Sequence, residues 1–342
     1  MPNTRSRLTQ WIREYWLELL LVALFLAALF WIFQVGRDIW VASNVEPTVI
    51  LTPRPLVESL PARTPVPPPA PTAVVQGFDA LRAQASMASL AALGPQPVGA
   101  EAHAATAGAI ADELTRAGWQ VEEQSVDVGG VALRTLIGKA GSGSLVILGT
   151  HYDTPPLADL DPTEANRTQP VPGANDGGSG VAVLLELARS LDKTRLTREV
   201  WLVFHDGQYA PSGGEPVSAG ARSLAESLPS EPLPEAVILL DLVGAADQRF
   251  PTDGNSDPAL SQSLWTLGKE LGYEAWFVPE TRGAVDNGLL AFRERGISAV
   301  NIAGSDYPYR RTIDDTVDKV EAASLERVGR LLQAYLEKQA PF

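Results

Sequence analysis

The stretches LVILGTHYDT (residues 145–154) and PGANDGGSGVAVLLELARS (172–190) decide how this chain is read. Residues 145–149 form a continuous apolar run of the kind made by a strand buried on both faces. His151 and Asp153 follow it two residues apart, so in extended backbone they face the same side. Asp176 stands in a glycine-rich turn at the mouth of an amphipathic helix over 180–191. Imidazole and carboxylate suit zinc, and a neighbouring carboxylate can fix a histidine's tautomer. The stretch therefore reads as the opening half of a metal site. Its glycines do not form a phosphate loop, because neither GxxxxGK[ST] nor GxGxxG occurs.

Further short apolar runs lie at 200–204, 236–242 and 298–303. Helical periodicity covers 80–93, 102–117, 260–271, 289–294 and 322–337, with Gly118 in the usual position after a helix end. This alternation predicts a three-layer α/β domain over 77–342, with a mostly parallel central sheet and helices on both faces. Ligands of such sheets bind beyond the carboxyl ends of the strands. His151, Asp153, His205, Asp206 and Asp241 fall at those ends.

The N-terminal part reads differently. Residues 16–36 are apolar apart from Glu18 and Gln34, long enough at about 1.5 Å per residue to cross roughly 30 Å of hydrocarbon. Trp11, Tyr15, Trp16, Trp31 and Trp40 sit near its ends, and Arg5, Arg7 and Arg13 precede it. No small-x-small cleavage site follows. These features predict a single-pass membrane anchor, with residues 1–15 cytoplasmic and the C-terminal domain outside the cytoplasm. Residues 37–76 are a proline-rich linker that should be extended.

The chain has 342 residues, 45% of them hydrophobic, a formal net charge of −14 and no cysteine. The acidity argues against nucleic acid as a partner. Lack of cysteine excludes disulfides, thiolate metal sites and cysteine nucleophiles. No G-x-S-x-G elbow supports a serine hydrolase.

Over most of 77–340 the sequence resembles the zinc aminopeptidases related to glutaminyl cyclase, glutamate carboxypeptidase and the transferrin-receptor ectodomain. The resemblance rests on GTHYDT (149–154), GANDGGSGVAVLLELAR (173–189), VWLVFHDG (200–207), ILLDLVG (238–244) and RRTIDDT (310–316), with TRAGWQVEEQ (115–124) fitting an early helix-to-strand turn. It implies that His151, Asp176 and Asp241 match metal ligands, with Asp176 bridging where two zinc ions bind. It also implies that Asp153 orients the histidine, and that Asp286 lies near the substrate pocket, beside Asn287 where a histidine is more usual.

The second half of the pattern departs. After VFHDG the family has a general-base glutamate and then a ligand glutamate; here stand Gln208 and Tyr209. An amide has no usable proton affinity near neutral pH, and tyrosine binds metal only as phenolate. Arg311 occupies the place of the last ligand histidine, and guanidinium cannot ligate a cation. A single zinc ion at His151, Asp176 and Asp241 remains possible, whereas the two-zinc site is not expected to persist. Arg311 is expected to neutralise Asp176 in the lost ion's place. His205 reads as a buried strand-end histidine and Glu215 as a solvated loop acid, with metal ligation the alternative for each; His103 is expected on the surface, and Asp314 and Asp315 are expected to serve a turn and a helix start. The resulting expectation is a membrane-anchored, peptidase-like domain that has lost ordinary catalysis and binds a peptide or protein in its old cleft, a pseudoenzyme. The alternative is an active one-metal metallopeptidase or glutaminyl-peptide cyclotransferase.

Overall fold

The structure is a computed structural model that describes residues 77–128, 130–214, 217–283 and 287–337. The expected anchor, the linker, Glu215 and Asp286 lie outside the described residues. Among the described residues no helix is long and apolar enough to cross a membrane.

In chain order the elements are α1 (Ala80–Ala91), α2 (Glu101–Arg116), β1 (Gln120–Val128), β2 (Val131–Ala140), β3 (Leu145–His151), α3 (Gly178–Ser190), β4 (Glu199–His205) and α4 (Ala219–Ser227). There follow β5 (Ala236–Asp241), β6 (Phe250–Asp253), α5 (Pro258–Glu270), β7 (Phe277–Arg282), α6 (Leu289–Glu294), β8 (Ala299–Ala303) and α7 (Ala322–Glu337). The central sheet has the order β1-β2-β4-β3-β5-β8. Strands β4, β3, β5 and β8 pair in parallel, while β1 and β2 form an antiparallel extension that meets β4.

Alternation along the strands divides the core in two. Val146 and Leu148 of β3, with Ile238 and Leu240 of β5, pack under α1, α2, α3, α5 and α7. Ile147, Val237 and Leu239 face the other way, against α4 and α6. This is the three-layer arrangement, and it leaves the strand ends of β3, β4 and β5 side by side.

Some local expectations are corrected. Strands β1 and β2, helix α4 and the small parallel pair β6-β7 add to the elements read from sequence. Strand β1, QVEEQSVDV, is largely exposed at the sheet edge, so it carries no continuous apolar run. The helix after Asp176 is not amphipathic in use: every residue from Ser179 to Ala188 is buried, as expected for a helix covered on all sides. Its Glu186 carboxylate accepts from Arg82 Nε (2.7 Å) and Nη2 (2.6 Å) and from the Asp79 N–H (3.1 Å), so the buried charge is paired.

Candidate metal centre

β3 ends at His151, which is 1% exposed. Its Nδ1 lies 2.9 Å from the backbone carbonyl oxygen of Asp153. A proton on Nδ1 donates there and leaves the Nε2 lone pair facing Asp176 Oδ1 at 3.4 Å and Asp241 Oδ1 at 3.6 Å. The Asp153 carboxylate, 3.6 Å from Nδ1, mainly does something else. Its two oxygens accept the backbone N–H groups of Gln208 and Tyr209, each at 3.1 Å. Asp153 thus ties the β3 end to the loop after β4, and its carbonyl rather than its carboxylate makes the short bond that sets the ring.

The Asp176 turn reaches this point because its glycines allow close approach. Gly177 has φ +93°, and a Cβ there would stand 3.0 Å from the Asp153 carbonyl oxygen and 3.2 Å from the His151 ring. The Asp315 carboxylate accepts the backbone N–H groups of Asn175 (2.9 Å) and Asp176 (3.0 Å) and the Tyr307 hydroxyl (2.7 Å). Burial, with Asp176 nearby, pushes the Asp315 carboxyl up to about 7. The turn role expected of the Asp314-Asp315 pair is therefore specific: Asp315 holds the backbone that carries Asp176.

His151 Nε2, Asp176 Oδ1 and Asp241 Oδ1 are all buried and have no hydrogen-bond partner. The candidate ligand atoms of these residues lie within 4.8 Å of one another. Tetrahedral zinc with bonds of about 2.0–2.2 Å spaces its ligand atoms roughly 3.3–3.6 Å apart, which the two measured separations from Nε2 match. Three orphaned buried atoms, two of the separations among them at that spacing, fit one zinc ion. The electrostatics agree. Burial alone would lower the pKa of His151, but Asp153, Asp176 and Asp241 outweigh it and raise it well above the usual value. Burial would raise that of Asp241, yet His151, Arg310 and Arg282 lower it. Without an ion the positive charge these carboxylates favour is a second proton on His151; a zinc ion would take the place of that proton at Nε2.

Where a second ligand glutamate is expected, the Tyr209 hydroxyl donates to Asp176 Oδ2 at 2.7 Å. Burial, reinforced by Asp176 and Asp241, raises the phenol's pKa well above 10, so it stays a neutral donor. The Gln208 side chain is buried and its Oε1 accepts from Ser218 Oγ at 2.9 Å. His205 is held neutral, with burial and the charge of His151 pushing its pKa to about 3. Its ring centroid is 6.2 Å from that of His151, and the convergent group among the described residues does not include it.

Two expectations fail. Arg311 is buried, but its Nε and Nη2 donate to Asp159 Oδ1 (2.8 Å) and Oδ2 (2.5 Å); the group bonded to Asp176 is Tyr209. A fork of two parallel bonds is what guanidinium makes with carboxylate, and Asp159 supplies one. His103 is not on the surface: it is 5% exposed, stacks on Tyr152 at 5.0 Å, and its Nε2 is 2.9 Å from Asp206 Oδ1. Its place on the face shared by Ala107, Ile110 and Leu114 is the signal that sequence offers for this burial.

Beyond Asp241 opens a cleft of about 640 Å³, walled in part by Leu242, Val278, Arg282, Tyr307 and Arg310. Sequence patterning does not place Arg282 and Arg310 there: strand β7, FVPETR, lacks a continuous apolar run, and Arg310 lies in a loop.

Comparison with known proteins agrees with this geometry. A glutaminyl-peptide cyclotransferase of Bos taurus is 26% identical over 230 residues, 56% of this chain and 61% of that protein. The chain thus spans less than two thirds of that relative's length. Among solved structures, a Zn-dependent exopeptidase from Parabacteroides distasonis superposes with a TM-score of 0.71 at 26% identity, covering 78% of this chain and 100% of that one. A Bacteroides thetaiotaomicron glutaminyl cyclase gives 0.72 at 26%, covering 78% and 99%. The model of peptidase family M28 matches residues 133–336, which include His151, Asp153, Asp176, Gln208, Tyr209, Asp241 and Arg311. By sequence, fold and the convergence of His151, Asp176 and Asp241, the chain belongs to peptidase family M28.

Proposed function

We propose that this domain binds one zinc ion through His151, Asp176 and Asp241 and holds a peptide or protein end in the adjoining cleft, with hydrolysis strongly impaired. The observation that carries the reading is the 2.7 Å bond from the Tyr209 hydroxyl to Asp176 Oδ2. A neutral donor there satisfies the carboxylate oxygen that a second ion would otherwise engage. A bound zinc ion would act as a Lewis acid toward a ligand carbonyl or carboxylate. The chain's own residues then position and enclose. Asp315 fixes the backbone of Asp176, the Asp153 carbonyl orients His151, and Asp153 pins the loop of Gln208. Gln208 supplies no base, and loss of general-base catalysis typically lowers a rate by about 10²–10⁴.

A second reading is a one-metal glutaminyl-peptide cyclotransferase, favoured by the cyclase relatives. In that reaction the substrate's own amine attacks its side-chain amide carbon and ammonia departs, so no water needs activating. A proton must still pass from the amine to the leaving nitrogen, and Gln208 offers no base for it. We also read residues 16–36 as an anchor that holds the domain at the outer side of a membrane.

The test uses the zinc-loaded full-length protein, assayed for aminopeptidase turnover, for cyclisation of glutaminyl peptides, and for equilibrium peptide binding. Saturable binding without turnover is expected. Zinc-dependent hydrolysis that His151→Ala abolishes would overturn the first reading, and zinc-dependent cyclisation would replace it with the second.

A further inference from the structure

The turn after β4 takes its shape from two buried acids. Three successive backbone N–H groups, those of Gly207, Gln208 and Tyr209, donate to carboxylates rather than to a strand or a helix. Gly207 donates to Asp206 Oδ1 at 2.7 Å, and Gln208 and Tyr209 donate to the two oxygens of Asp153 at 3.1 Å each. Asp153 and Asp206 are fully buried. This turn also delivers the Tyr209 hydroxyl to Asp176 Oδ2. A change in how either acid is oriented therefore reaches the metal centre through the backbone of 207–209.

Asp153 follows directly on β3, whose end is tied to β4 by the Tyr152 N–H bond to the His205 carbonyl oxygen at 3.2 Å. Asp206 is oriented from two sides. Its Oδ2 accepts the Arg134 N–H of β2 at 3.1 Å, and its Oδ1, shared with Gly207, lies 2.9 Å from His103 Nε2. Both oxygens already accept N–H groups, so the proton in the histidine contact is on Nε2. A buried carboxylate stripped of a donor loses part of what fixes its direction. The histidine itself is well held. It projects from the face of α2 that Ala107, Ile110 and Leu114 anchor in the core, and its ring stacks on Tyr152 at 5.0 Å.

We propose that His103 is a positioning residue of the metal centre. Its Nε2–H orients the Asp206 carboxylate, and Asp206 sets the 206–209 turn so that the Tyr209 hydroxyl meets Asp176. The inference rests on the single-ion reading, in which Tyr209 caps one oxygen of Asp176. Among the described residues His103 bonds to Asp206 and stacks on Tyr152, neither of them a candidate ligand, so its effect passes through Asp206.

Two substitutions separate the bond from the packing. His103→Phe keeps a ring on Tyr152 and removes the donor. His103→Gln gives up the ring and returns an amide N–H at a similar reach. Each is combined with Tyr209→Phe in a double-mutant cycle on the full-length protein. Sites without a shared partner normally add, so coupling between positions 103 and 209 is what a merely structural histidine would not give. Zinc affinity, read by competition with a chelator, should fall about 10-fold in His103→Phe, the lower end for an indirect partner of a ligand. In the Tyr209→Phe background the same change should cost no more than about 2-fold. His103→Gln should recover most of the affinity.

Thermal melts in excess chelator run the same cycle on the metal-free protein. The drop caused by Tyr209→Phe should shrink by about half or more when position 103 carries Phe. His103→Leu, smaller and equally without a donor, serves the cycle if the larger ring unfolds the domain. The proposal is overturned if the substitutions add in the melts, or if His103→Gln weakens zinc binding as much as His103→Phe. A wild-type protein that takes up no zinc refutes the single-ion reading instead, and the melts then decide the role of His103 by themselves.

Discussion

Tyr209→Phe deletes one oxygen and leaves the ring in place, which isolates the bond on which the single-ion reading depends. Asp176 is fully buried, and its Oδ2 accepts from the Tyr209 hydroxyl at 2.7 Å. The phenyl ring would keep its edge-on contact with His151, 6.0 Å between centroids, so little packing changes. What is lost is a buried hydrogen bond to a carboxylate oxygen, about 1.5–3 kcal/mol. For a domain of this size a loss near 2 kcal/mol lowers the melting temperature by roughly 4–8 °C. Zinc affinity should also fall about 10- to 100-fold, the usual penalty for removing a partner that orients a ligand carboxylate. Thermal melts in excess chelator read the first effect, and competition against a chelator of known affinity reads the second. An unchanged melt together with unchanged zinc affinity would refute the assignment of Tyr209 as the cap on Asp176.

Other consequences follow from neighbouring contacts. Gly177→Ala forces a side chain into φ +93° with its Cβ 3.0 Å from the Asp153 carbonyl oxygen; a loss of about 1–2 kcal/mol or more is expected in urea unfolding. Arg82→Ala leaves the fully buried Glu186 without its forked partner. Breaking a buried pair costs about 3–5 kcal/mol, and since Arg82 is itself a third exposed and Arg189 also reaches Glu186 at 3.3 Å, about 2–3 kcal/mol is expected from the denaturation midpoint. The Arg311 fork holds the Asp159 carboxyl below its ordinary value. A depressed carboxyl stabilises the fold above the unfolded pKa of about 4, and that contribution disappears as pH falls through the folded value. Urea midpoints between pH 6 and pH 3 should therefore drop less steeply in Asp159→Asn than in the wild type, by at most about 1 kcal/mol because the pair is partly exposed.

What the sequence revealed follows its apolar patterning. Strands β3, β4, β5 and β8 are short apolar runs because both their faces are covered, so their positions and their carboxyl ends could be anticipated. β1 hides its strand character in QVEEQSVDV, where charged residues face solvent at the sheet edge. The residues at the metal centre were named by their resemblance to a motif, and three of them come together as ligand atoms. Their supporting contacts were not legible. Asp159 finds Arg311 across 152 residues, and Asp315 finds Asp176 across 139. No periodicity or spacing encodes a pairing at that range. The Asp153 carbonyl that sets the histidine tautomer is also invisible to a reading of side chains. Tyr209 illustrates the same limit: sequence marked it as a lost ligand, whereas the structure places its hydroxyl on Asp176 Oδ2.

The single-ion centre stands or falls on the zinc content of the purified full-length protein after loading and removal of excess metal. One zinc per protein molecule is predicted, falling to near zero in His151→Ala while the melting curve still shows a folded domain. Two zinc ions per molecule, or one that persists in His151→Ala, would contradict it.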